Sequence, residues 1–335
     1  MSAGAAVSVE ERALAALRGL AIGDALGMPT QLMSRAEVAA RFGAIETFLP
    51  AADDHPIAAG MPAATITDDT EQALLVAGLL LAGGGHVDPA SFARALVTWE
   101  DDMRARGSLD LLGPSTKRAV DAVLTGEPLT EAGRYGTTNG AAMRVTPVGI
   151  VRSARDLPAL VDLVVEASLV THNTSVALAA ASAVAGAVSA GIDGATVAEA
   201  IDVGVEAARL GAQRGYWVAG ADVSRRIRWA VDLVDPTHVE RSLDDVYALV
   251  GTSLASQESV PAAFALVALF PDDPWRGVLA AARLGGDSDT IGAIVGAIGG
   301  AVHGHAAFPR DAIETVERVN ALALGPLVAS LVALR

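Results

Sequence analysis

No cysteine occurs among the 335 residues. Disulfides and thiolate metal ligands are therefore excluded, and the absence fits a reducing compartment, with the cytoplasm as the expected location. Basic residues are scarce: 24 Lys and Arg stand against 39 Asp and Glu, a formal net charge of −15. So acidic a surface repels nucleic-acid backbones unless a basic patch relieves it. The densest basic cluster, Ser224 to Arg228, reads as a solvated helix face, so no nucleic-acid partner is expected. The first residues lack the basic n-region of a signal peptide, and Glu10, Glu11, Arg12 and Arg18 interrupt their apolar positions.

Long apolar runs are also few. The longest uncharged stretch, between Glu166 and Asp193, has the length of a bilayer span. It carries His172, Asn173, Thr174 and several serines, and its apolar part is mostly alanine. It reads as a buried helix, with no membrane partner expected. Strand-like alternation is nearly absent, "ETFLP" (Glu46 to Pro50) being its one faint instance. No Pro/Ser-rich linker and no repeat of fixed period divide the chain, so one domain over 1–335 is expected.

What is present is helical periodicity. Apolar spacing predicts helices over 8–26, 69–82, 89–105, 115–124, 158–169, 174–190, 196–209, 219–233, 243–249, 260–269, 274–283, 290–301 and 310–331. Many carry small residues on the packing face, which lets helices approach closely. The fold class expected is all-α, a compact many-helix orthogonal bundle.

Two stretches carry unusual oxygen chemistry. In "TDDTE", Thr67, Asp68, Asp69, Thr70 and Glu71 open an apolar helix. Asp68 and Glu71 have capping-box spacing, and acids in a first turn complement the helix dipole. Yet one cap needs one side chain, and two adjacent carboxylates repel. In "GGDSDTIGAIVG", Asp287, Asp289 and Thr290 follow a Gly-Gly pair and open a second apolar helix. Residues two apart do not share a helix face, so these aspartates converge from a turn. The two clusters read as halves of one oxygen-rich site. Oxygen donors without cysteine favour Mg²⁺ or Mn²⁺ over zinc, and two such ions can share one nucleophilic water.

Other segments are open to two readings. The glycines of "GRYGTTNGAAMRVTPVG" (133–149) around Asn139 and Arg144 let backbone approach a ligand, or simply make a turn. His172 in "VTHNTS" is a ligand contact or a structural residue. His303 and His305 lie past a helix end and lack a third partner. Asp110, in a loop before a helix, is a turn residue or a sugar contact.

Taken in order, "GLAIGDALGMP", "TDDTEQALLVA", "NGAAMRVTPVG", "TH" and "GGDSDTIGAIVGAIGGA" resemble the ADP-ribosylglycohydrolase family over about 300 residues. The resemblance implies an all-α enzyme that cleaves an N- or O-glycosidic bond to the ribose of ADP-ribose. It implies two divalent cations, Mg²⁺ or Mn²⁺, held by Thr67, Asp68, Asp69, Asp287, Asp289 and Thr290. Asp68, Asp69 and Asp289 would serve catalysis. Gln31, Asp110, Gly136, Asn139, Gly140, Met143, Arg144 and His172 would contact the ADP-ribose of a modified protein or small molecule. One departure stands out: several hydrolases of this kind have a glutamate at or near the place of Gln31, and glutamine is no base at neutral pH. That departure motivates two alternatives, hydrolysis of a small nucleoside-like N-riboside and ADP-ribose binding without turnover.

Overall fold

The computed structural model describes residues 7–108 and 112–335. In chain order the helices are α1 (Val9–Gly27), α2 (Arg35–Phe42), α3 (Asp68–Ala82), α4 (Pro89–Ala105), α5 (Pro114–Leu124) and α6 (Leu129–Ala132). There follow α7 (Gly140–Met143), α8 (Thr146–Val151), α9 (Leu157–His172), α10 (Ser175–Ile192), α11 (Val197–Gly211) and α12 (Val223–Leu233). The chain ends with α13 (Val239–Asp245), α14 (Ser256–Leu269), α15 (Pro274–Leu284), α16 (Ser288–His303), α17 (Arg310–Val319) and α18 (Leu324–Val332). Among the described residues there is no strand, and the segment 46–50 is irregular.

α1 and α16 form the most extensive helix pair. Each carries a glycine every fourth residue, so one face has no side chains. A Cβ on Gly19 would lie 2.0 Å from the Gly296 carbonyl oxygen, and one on Gly23 would lie 1.9 Å from that of Gly292. The backbones therefore touch, and only glycine fits the seam. The last glycine of α1, Gly27, abuts the backbone of Asp289, where a Cβ would sit 2.3 Å from its Cα. The seam thus sets one of the predicted acidic helix starts against the end of α1.

α10 is buried along its whole length. It is the one described helix long and apolar enough to cross a bilayer, and it packs against α8, α9, α11 and α16. This is the buried helix read from the uncharged run.

Several boundaries differ from the expected ones. α2 was absent from the periodicity, although Ser34 and Glu37 form a complete capping box there. The segment expected from 219 begins at Val223, because the Asp222 side chain accepts the Arg225 N–H and caps the helix. The segment 310–331 breaks into α17 and α18, bent by 99°. At the break Asn320 turns inward, donating to the Ala64 carbonyl (2.8 Å) and accepting from the Ile66 N–H (3.1 Å). The 224–228 cluster is more than a solvated face. Arg226 donates to the carbonyls of Gln257 and Val250 and lies over the Trp229 ring, pinning α12 to its neighbours.

Candidate active site

The two acidic clusters meet. Asp68 and Asp69 at the start of α3, and Asp287, Asp289 and Thr290 at the start of α16, line one cavity of about 150 Å³. The Thr290 hydroxyl donates to Asp69 Oδ2 at 3.3 Å and ties the halves together. The Gly285–Gly286 pair, both at positive φ, makes the turn that delivers Asp287. A Cβ at Gly286 would meet the Thr252 carbonyl at 2.3 Å, and the Asp287 N–H donates to that same oxygen at 2.7 Å.

The capping reading of these acids is corrected by the structure. Thr67, not Asp68, holds the N-cap position of α3, and its side chain caps nothing. The cap comes from another helix: Asp24, fully buried on α1, accepts from the Thr67 N–H (3.0 Å) and the Thr70 N–H (3.1 Å). The hydroxyls of Thr67 (2.8 Å) and Thr70 (2.5 Å) donate to the same carboxylate. Glu71 closes no capping box; it accepts from Trp99 Nε1 (2.6 Å) and from both terminal nitrogens of Arg106. Asp287 likewise stands at the N-cap of α16 without a side-chain cap bond. Asp68 accepts from Gln72 Nε2 (2.9 Å), and Asp287 from Asn139 Nδ2 (2.5 Å). Neither N-cap side chain makes a cap bond, while Asp289 Oδ1 accepts the N–H of its neighbour Thr290 at 3.0 Å.

Burial and mutual repulsion dominate the electrostatics. Desolvation raises the Asp69 carboxyl well above the usual range, and the charges of Asp289, Asp68, Asp24 and Asp287 raise it further. Burial lifts Asp24 to about 6 against the opposing threonine hydrogen bonds. Burial also raises Asp287, opposed by the hydrogen bond from Asn139. Asp69 Oδ1 is buried with no hydrogen-bond partner. An orphaned carboxylate oxygen amid like charges is costly in the protein alone, and a hard cation removes that cost. The donors therefore fit Mg²⁺ or Mn²⁺ in kind. Among the described residues, no three Asp, Glu or His side chains already stand in an arrangement that would hold a metal ion.

The other expected contacts divide. Gln31, Asn139, Gly140 and Met143 line the cavity. Thr67, Gly136, Arg144 and His172 stand behind its wall. Arg144 is fully buried: it donates to Gln72 Oε1 (2.6 Å) and Thr171 Oγ1 (2.5 Å) and stacks over Phe92. Burial lowers it to about 10, with Asp68 opposing. It continues the chain Asp68–Gln72 inward and braces α3 from behind. His172 bonds Thr138 Oγ1 (2.9 Å) and Thr171 Oγ1 (2.8 Å), and its ring fills the space where a Gly140 Cβ would lie. Gly136 is packed so closely that a Cβ would meet the Thr171 carbonyl at 2.1 Å. Asp110 lies outside the described residues. His303, at a helix end away from the cavity, donates from Nε2 to the Pro271 carbonyl at 2.9 Å.

The sequence reading assigned no role to Asp24, whose signal is a lone acid in the apolar second half of α1, from Gly19 to Gly27. It also missed the apolar rim of Leu32, Ile57 and Leu254. Leu32 holds φ +62°, the strained left-handed region for a residue with a side chain.

The fold is thus an all-helical bundle with paired aspartates at two converging helix starts. The ADP-ribosylglycohydrolase family model matches residues 5–335, and the chain belongs to that family. It is therefore a hydrolase acting on glycosyl bonds, with ADP-ribosylated substrates in general. It is 39% identical to the uncharacterised protein YegU of Escherichia coli (strain K12), over 93% of each chain. It is 26% identical to the ADP-ribosylarginine hydrolase Tri1 of Pseudomonas putida (strain GB-1), over 91% of this chain and 74% of that protein. A solved structure described as an ADP-ribosylglycohydrolase-related protein complex superposes with a TM-score of 0.70 at 25% identity, covering 98% of this chain and 99% of that one.

Proposed function

We propose that this chain removes ADP-ribose from a modified target by hydrolysing the glycosidic bond at the ribose, with two divalent cations, Mg²⁺ or Mn²⁺, in the carboxylate cluster. One observation carries the reading: four carboxylates from two helix starts line one cavity, and one of them carries an orphaned buried oxygen. Asp68, Asp69, Asp287, Asp289 and Thr290 would hold the ions, with Thr67 beside them. When bound, the ions would supply positive charge at the cavity and a nucleophile active at neutral pH. Bond cleavage passes through an oxocarbenium-like state, which the carboxylates stabilise electrostatically. Asp68, Asp69 and Asp289 line the cavity and are the acids placed to accept a proton there. Asn139 fixes Asp287, and Gln72 with Arg144 fixes Asp68, so both sides of the cluster are braced.

A second reading, hydrolysis of a small N-riboside, is favoured by the cavity's modest volume of about 150 Å³. The test is product release from ADP-ribosylated peptides and from plain nucleosides, in Mg²⁺, Mn²⁺ or EDTA, with Asp289→Ala as control. Cation-dependent release of ADP-ribose, lost in Asp289→Ala, supports the main reading. Release from nucleosides alone moves the protein to the second. Binding of ADP-ribose without any product would make it a binding protein.

A further inference from the structure

A second concave site lies between α4 and α5 and shares no lining residue with the acidic cavity. On α4, Ala90, Ala93 and Val97 fall at helical spacing on one stripe. On α5, Val120, Val123 and Leu124 form the facing stripe, joined by Leu129 of α6. Between the stripes is a slot of about 290 Å³. It stays open because two of the three apolar residues on the α4 side are alanine, too short to reach across. Leu124 opposite keeps 65% of its surface in water, so an apolar occupant would cover surface that folding leaves wet.

One residue breaks the apolar pattern. Arg94 falls in the α4 stripe, four residues after Ala90, and is the one charged side chain among the described residues that line the slot. Its guanidinium donates to the Ser91 hydroxyl at 3.0 Å, and among the described residues no carboxylate is in contact with it. Asp88, the acid whose charge it feels, is engaged elsewhere. As the N-cap of α4, Asp88 accepts from the Ser91 N–H (2.8 Å) and from the Ser91 hydroxyl (2.7 Å). A guanidinium carries five donors in a fork that matches a carboxylate, and Arg94 has donors to spare.

Volume, length and charge together define the occupant. A water-sized or methylene-sized group takes about 30 Å³, so the slot holds roughly ten of them. From Ala90 to Val97 the stripe runs about 10 Å at 1.5 Å per residue, the reach of roughly eight extended carbons. An uncharged chain would leave the guanidinium donors unused, and an amine would meet like charge. A carboxylate satisfies both walls of the slot and its charged member.

We propose that the α4–α5 slot is a binding site for a medium-chain aliphatic carboxylate, with the tail between the two helices and the carboxylate on Arg94.

The test is calorimetric titration with hexanoate, octanoate, decanoate and dodecanoate, each below its micellar concentration, with 1-octanol and octylammonium as head-group controls. Wild type should bind octanoate saturably at a single site. Affinity should rise about two- to four-fold per methylene up to roughly ten carbons, the scale of one CH₂ buried in a partly open slot, and then level off. Octanoate should bind about two- to five-fold tighter than octanol, the scale of an exposed ion pair, and octylammonium weaker than both. Arg94→Gln should erase the octanoate advantage and leave octanol unchanged. Ala93→Leu should weaken octanoate about ten-fold or more by displacing roughly two or three methylenes. Its melting temperature should be equal or higher, because the added isopropyl group enters empty space. Ala90→Leu repeats the filling one turn earlier, in case Ala93→Leu folds poorly. Asp289→Ala, in the acidic cavity, should bind octanoate as wild type does. Absence of saturable decanoate binding, affinity indifferent to chain length, octanol bound as tightly as octanoate, or folded leucine variants that bind as wild type would each overturn the proposal.

Discussion

Replacing Gly27 by alanine tests whether the α1–α16 seam positions the site. The new Cβ would lie 2.3 Å from both the Cα and the N of Asp289. Ordinary carbon contact is about 3.5 Å, so the backbones must part by roughly 1 Å. No rotamer relieves the clash, because the obstacle is backbone. Overpacking of this kind costs about 1–3 kcal/mol or more, and a misplacement near 1 Å lowers turnover by about 100-fold. Gly78 supplies the control: it lies in the interior of α3, exposed, with nothing within 4 Å of its would-be Cβ. There alanine should stabilise by about 1 kcal/mol through helix propensity alone. Urea unfolding of both variants, with calorimetric Mn²⁺ titration, separates the effects. Gly27→Ala should lose stability and cation affinity together, while Gly78→Ala gains stability and keeps affinity. A Gly27→Ala protein with wild-type stability and Mn²⁺ affinity would refute the argument.

In chelator, stability should fall as pH rises from 4 to 6. Burial lifts Asp24 to about 6 in the fold, above the ordinary aspartate value of 3.8, so the folded state holds the extra proton across that window. The Asp24 share of the loss is about 3 kcal/mol at 1.36 kcal/mol per pKa unit, and denaturant melts of Asp24→Asn against wild type should show a shallower slope, with Asp69 and Asp287 supplying the remainder. His172 has the opposite sign. Burial, then Arg144 and Arg118, hold it well below 6.5, so its contribution is present above that pH and lost on acidification below it. His172→Gln should therefore lose less stability than wild type between pH 7.5 and 5.5 in the same melts. Arg144→Met strands Gln72 Oε1 and leaves the Thr171 hydroxyl only its bond to His172. It should lower stability by about 1–3 kcal/mol, the scale of one stranded buried partner, and weaken Mn²⁺ binding through Asp68.

The two halves of the site were legible because two aspartates and a threonine ahead of an apolar helix make a pattern, and the pattern occurs twice. Asp24 was not legible, since a single acid within a helix has no spacing to read. Its role appears only when α1 and α3 are seen to meet. Arg144 and His172 were found by motif, yet their place behind the wall depends on packing around Phe92 and Gly140. The break between α17 and α18 escaped for a similar reason. Ala321 adopts φ +51° there, and alanine carries no signature for the left-handed region. α2 is different: its Ser34–Glu37 capping box was present in the sequence, but an eight-residue helix with one buried apolar residue, Val38, gives periodicity little to register.

The central claim is that the converging carboxylates hold cations that the hydrolase requires. The most direct measurement is ADP-ribose release followed across a Mn²⁺ titration of protein first stripped with EDTA, with bound cation counted in the same samples. The account predicts no release from stripped protein, a rise that tracks occupancy toward two ions per chain, and loss of both in Asp289→Ala. Full activity in the stripped protein, or cation binding unchanged by Asp289→Ala, would contradict it.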